Sequence, residues 1–132
     1  MSAEFTNFEA VAKILATFKR DGLIAAEITP SFALIGRRLE VANLAALNGI
    51  ALVAHRAEWA EAGAVLTYGI DVGESHRRAA GIAGRILKGA KASGIPVERV
   101  QKFELVVNNR VAITLGLHIP KPMLQRADRV IE

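Results

Sequence analysis

Four short apolar runs, each bounded by turn-forming residues, recur along the chain: Leu23 to Ile28 (LIAAEI), Ile50 to His55 (IALVAH), Val65 to Ile70 (VLTYGI) and Lys102 to Asn108 (KFELVVN). Runs this short and this continuous suit strands covered on both faces. The segments between them carry helical spacing. Phe8, Val11, Ala12, Leu15 and Phe18 mark a first helix that Arg20-Asp21-Gly22 stops. Thr29 or Ser31 is expected to cap a second, running to Leu47 before Asn48-Gly49. From Val72, positions 76, 79, 80, 83, 86, 87 and 90, with His76 as a borderline apolar member, predict a third helix, closed by Lys88, Gly89 and Lys91. RAEWAEAGA reads as a short helical or irregular connection, ASGIPVERV as turn-rich, and NRVAITLGL as a short helix ended by Gly116.

Strands alternating with helices predict an α/β fold: a three-layer, Rossmann-like single lobe with a mainly parallel sheet of about four strands flanked by helices. At 132 residues the whole chain, 1–132, is expected to be one domain with its own core. In sheets of this kind ligands sit beyond the carboxyl ends of the strands. Those ends are Glu27-Ile28-Thr29, Ala54-His55-Arg56, Thr67-Tyr68-Gly69 and Val107-Asn108-Asn109.

Composition narrows the function classes. With 52% hydrophobic and 23% charged residues the chain has the make-up of a folded domain, and no apolar run approaches the length of a membrane span. Cysteine is absent, which removes thiol chemistry and cysteine metal sites. The net charge of +4 comes from scattered basic pairs such as Arg37-Arg38, and with only 5% aromatics there is no nucleic-acid footprint. The first residues, MSAEFTNFEAVAKIL, lack the pattern of a secretory signal, so the chain as written is expected in the cytoplasm.

The third strand end is the richest in functional side chains. It offers the Thr67 hydroxyl, the Tyr68 ring, a flexible Gly69 and then Asp71, Gly73, Glu74 and Ser75 around a helix start. The spacing matches neither dinucleotide nor nucleotide-phosphate loops, and two carboxylates would repel a phosphate. Asp71 and Glu74 are expected to cap the helix and complement its dipole. Glu27 or Asp71 would suit a phosphoacceptor, but acidic strand ends are common in doubly wound folds. No serine, histidine or carboxylate set has catalytic or metal-ligating spacing, so no enzyme activity, cofactor or metal is expected. Trp59 is expected in the core rather than in a pocket.

Ordered motifs run from Glu61 to the end: E-A-G-x-x-x-T-Y-G-x-D at Glu61 to Asp71, then RILKGAK, KFELVVN, LGLHIP and ADRVIE. Through them the chain from about Phe8 onward resembles the carboxy-terminal lobe of ABC transporter substrate-binding proteins of the tryptophan/tyrosine-type family. The resemblance implies two Rossmann-like lobes joined by a hinge, with a small solute, often an amino acid, clasped between them, an ABC permease as partner and a periplasmic location. It places Thr67, Tyr68 and Asp71 on the cleft edge; Thr29 and His55 join them by topology. Ile70 stands where the family usually has proline, which predicts a looser turn. Family members are about twice as long, so the amino-terminal lobe is expected to be absent here. The expected function is that of a solute-binding lobe, with the cleft face met by an amino-terminal lobe or a second copy of the chain. The alternative is a stand-alone lobe acting as a self-associating structural protein.

Overall fold

The computed structural model describes residues 8–99 and 102–132; Met1 to Asn7, Val100 at the end of the turn-rich stretch, and Gln101 lie outside them. Among the described residues five strands form one sheet in the order β1 (Ala25–Ile28), β2 (Ala51–Ala54), β3 (Leu66–Ile70), β4 (Phe103–Asn108) and β5 (Arg129–Ile131). The four expected strands are present, and β5 is added by the tail, where a three-residue strand is too short to leave an alternating pattern. β1, β2 and β3 are parallel to their neighbours, and so are β4 and β5, but β3 and β4 run antiparallel. This corrects the reading of the fourth strand end. Asn108 lies at the end of the sheet opposite His55 and Asp71, and Lys102-Phe103 takes its place beside them.

The helices are α1 (Phe8–Arg20), α2 (Phe32–Ile35), α3 (Arg38–Leu47), α4 (Ala57–Ala62), α5 (Val72–Leu87), α6 (Asn109–Thr114) and α7 (Lys121–Arg126). The expected second helix is therefore two pieces, broken at Gly36-Arg37, and Ser31 precedes the first without bonding its free N–H groups. The main core gathers Val11 and Leu15 of α1, Val41 and Ala45 of α3, Leu52 of β2 and Trp59 of α4. A smaller cluster joins Ala51 and Val65 to Ala112 of α6. Trp59 is buried in the main core, as its size and apolar neighbours favour.

Helix α5 adds no buried residue to the helical layers that flank the sheet. Its apolar positions keep the helical period, yet none of its residues is buried, and Leu87 is 88% exposed. The amphipathic stripe that would cover a sheet has no surface to cover within these residues. Among the described residues no helix is long and apolar enough to cross a membrane.

Candidate functional site

The parallel strands β1, β2 and β3 end side by side, and β4 begins next to them. Thr29 follows β1 and is exposed. His55 follows β2, half-buried, its Nδ1 3.4 Å from the Ile28 carbonyl oxygen; that oxygen only accepts, so the contact bonds when Nδ1 carries the proton. A hollow of about 100 Å³ lies here, lined by Pro30, Ser31, Phe32, Ile35, His55 and Arg56. Phe32 is 96% exposed at its rim.

β3 carries the opening motif in a more rigid form than its residues suggest. Thr67 pairs with Ala54 on one side and Val106 on the other, and only 1% of it is exposed, so its hydroxyl faces the interior. Tyr68 points outward and stacks on Phe103 of β4, with ring centroids 5.6 Å apart and planes 20° from parallel. Gly69 is not the flexible joint expected. It sits inside the strand, where the His55 carbonyl approaches so closely that a side chain would collide with it. Ile70 pairs with Phe103, so the strand ladder continues where a looser turn was expected in the absence of proline.

Asp71 ends the strand and starts α5. Its Oδ1 accepts from the Glu74 N–H at 2.9 Å, and its Oδ2 accepts from Lys102 Nζ at 2.9 Å. Its backbone N–H donates to the Lys102 carbonyl, so the chain leaves the sheet and returns to it at two adjoining, doubly tied residues. The Lys102 ammonium, followed by the Glu74 amide, holds the Asp71 carboxyl below the usual carboxylate range, and Asp71 in turn raises Lys102. Arg78 and then Arg77 lower Glu74 in the same way. The capping role expected for Asp71 is the one it performs.

An open hollow of about 380 Å³ flanks this point, between α4 and the end of β3, with Glu58, Glu61, Asp71, Glu104 and Arg129 around it. Arg56 bonds Glu58 at 2.6 Å and lowers its pKa, and Arg129 bonds Glu61 at 2.9 Å. The two hollows adjoin the consecutive residues Arg56 and Ala57. The strand ends thus present aromatic faces together with charges of both signs. Among the described residues no group of three metal-ligating side chains occurs.

Of the expected site residues, Thr29, His55, Tyr68 and Asp71 stand on three adjacent strand ends at one end of the sheet, whereas Thr67 is buried within β3. Phe32, Lys102 and Phe103 stand there too and are not among the expected residues. The signal for Phe32 was its place just after Pro-Ser at a strand end. Phe103 and Lys102 could be found only by knowing that β4 is antiparallel.

The family of ABC transporter substrate binding proteins matches residues 13–131. The chain belongs to that family. Three solved structures share its fold. A conserved domain protein of Vibrio cholerae is 21% identical with a TM-score of 0.81, covering 97% of this chain and 43% of its own. An ABC domain of Streptococcus pneumonia, in complex with L-Trp, is 19% identical with a TM-score of 0.86, covering 99% and 44%. A substrate binding protein with adhesive properties from Clostridium difficile, in its ligand-free, open form, is 18% identical with a TM-score of 0.69, covering 100% and 43%. The chain therefore spans less than half the length of the structures it matches. No curated protein matches it.

Proposed function

We propose that this chain is one solute-binding lobe of an ABC importer's substrate-binding protein, taking an amino acid or a similar small zwitterion without catalysing a reaction. The observation that carries the reading is that one end of the sheet bears Phe32, His55 and Arg56 around one hollow, Glu58 and Asp71 around another, and the stacked Tyr68 and Phe103 with Lys102 on the adjoining strands. Aromatic faces suit an apolar side chain, and paired charges of both signs suit an ammonium and a carboxylate. Thr29, His55, Tyr68 and Asp71 are the contacts, and Thr67 supports Tyr68 from within the sheet. The L-Trp in the Streptococcus structure makes an aromatic amino acid the first solute to try.

A lobe this open buries too little of a solute to hold it tightly, because binding sites enclose most of the ligand surface. A second lobe supplies the other wall in this reading, and the uncovered stripe of α5 supports it. The site of action is the periplasm and the downstream partner an ABC permease, both by family membership.

The test is a nuclear magnetic resonance titration of the 132-residue chain with each of the twenty amino acids. Weak, saturable shifts are expected at Thr29, Phe32, His55, Tyr68, Asp71 and Phe103. Shifts spread over the surface, or none with any amino acid, would defeat the proposal.

A further inference from the structure

The smaller hollow at the strand ends has a chemistry distinct from that of its neighbour. Its volume of about 100 Å³ falls well below the ~300 Å³ at which whole small-molecule sites begin, so it accepts one group of a solute and not all of it. Pro30, Phe32 and Ile35 give it apolar walls, while Ser31, His55 and Arg56 supply its polar side chains, with no carboxylate among the lining residues described. Arg56 gives Nε and Nη2 to the two oxygens of Glu58, at 3.3 and 2.6 Å, which fixes the guanidinium plane and leaves both protons of Nη1 unused by that pair. Ser31 makes no side-chain bond to the N–H groups of α2, so its hydroxyl remains available. His55 contributes shape alone when neutral, because an Nδ1 that donates to the Ile28 carbonyl leaves Nε2 as an acceptor.

Local charge points the same way. Arg38 donates to the carbonyl of Ile35 at 3.1 Å, and its charge adds to the Arg56 hydrogen bond in holding Glu58 below the usual carboxylate range. Two guanidinium groups thus stand near one carboxylate, and the surplus at this hollow is positive. Beyond Ala57 the larger hollow has the opposite balance, with Glu58, Glu61, Asp71 and Glu104 set against Arg129, and repels an anion. Resting on the solute-binding reading above, we propose that the hollow at Ser31 and Arg56 is an anion subsite that takes the carboxylate of the solute, through Arg56 Nη1 and the Ser31 hydroxyl. Both groups donate, and a guanidinium bond to a carboxylate is about twice as strong as one between neutral groups. The subsite therefore selects solutes with a free carboxylate and refuses the matching amines, whose cationic group adds to the local surplus of positive charge.

Three probes share one ring system and differ in charge: L-tryptophan, 3-indolepropionate, which lacks the ammonium, and tryptamine, which lacks the carboxylate. Each is titrated into the 132-residue chain while the Arg56 Nε–H and Ser31 amide resonances are followed. Both carboxylates are expected to shift these signals saturably, with tryptamine about tenfold weaker or more. Arg56→Gln is expected to weaken the two carboxylates about tenfold and to leave tryptamine unchanged, a split that loss of fold does not produce. Ser31→Ala keeps the Arg56 pair with Glu58 and should weaken the same two probes by a smaller factor. Tryptamine binding as tightly as tryptophan overturns the subsite while leaving the amino-acid reading in place, and so does an Arg56→Gln chain that keeps its affinity for both carboxylates. The comparison of the three probes uses the unaltered chain, so it decides the matter even where a variant fails to fold. Absence of shifts with all twenty amino acids, by contrast, defeats the solute-binding reading and the subsite together.

Discussion

A Cβ atom on Gly69 would collide with the carbonyl oxygen of His55, which lies closer than any non-bonded contact allows. The end of β2 and the middle of β3 therefore pack backbone against backbone, and the position of His55 beside Tyr68 depends on a missing side chain. Gly69→Ala forces the two strands apart. The expected cost is about 1–3 kcal/mol, as for other overpacked sites, read as a lower midpoint in urea denaturation. An unchanged midpoint would show that the strands are not held at this distance.

Asn108 gives a second stability test at the opposite end of the sheet. Its Nδ2 donates to the Ala60 carbonyl at 2.8 Å, and its Oδ1 accepts from the Val111 N–H at 3.0 Å, so one buried side chain ties α4 to the start of α6. Asn108→Ala leaves both backbone groups without that partner. A loss on the order of 3 kcal/mol is expected from thermal unfolding followed by circular dichroism, and a loss no larger than that of Asn43→Ala at an exposed position would contradict it.

The Asp71–Lys102 pair sets a pH window for the hinge between sheet and α5. The folded pKa of Asp71 is lowered, so its contribution is present above the unfolded carboxylate value of about 3.9 and is lost as pH falls through the folded value. The folded pKa of Lys102 is raised, so its contribution is present below about 10.4 and is lost as pH rises through the folded value. Carbon-13 titration of the Asp71 carboxyl should show a lowered midpoint that moves up in Lys102→Met. A midpoint indifferent to that substitution would mean the ion pair does not form in solution.

Helix α5 should tolerate charge where an ordinary core helix would not. Leu87 is 88% exposed, so Leu87→Glu in the 132-residue chain is expected to change stability by no more than about 0.5 kcal/mol. Amide hydrogen exchange should also be faster in α5 than in β3 or β4, which pair along five residues. Strong protection of α5, or a large loss from Leu87→Glu, would reveal a surface already covering the stripe.

Most elements of this lobe are legible locally. Apolar runs such as IALVAH and VLTYGI, and the spacing of Phe8, Val11, Leu15 and Phe18, reflect burial that recurs at the period of the element, and caps such as Asp71 act within one turn. The α/β class and three of the strand ends follow from those patterns. Strand direction does not, because KFELVVN reads the same in a parallel or an antiparallel ladder, and with β4 reversed Phe103 rather than Asn108 meets Tyr68. The need for glycine at position 69 likewise comes from a carbonyl fourteen positions away in sequence, beyond any local period. Nor does periodicity name the surface a helix covers: the pattern of α5 is that of a buried helix, and only the assembled sheet leaves it bare. The sequence by itself determined most of the strands and helices, through side-chain periodicity; the tertiary structure alone decided the short β5 and α7, the break between α2 and α3, and the directions, close approaches and uncovered faces, because those depend on contacts between residues far apart in the chain.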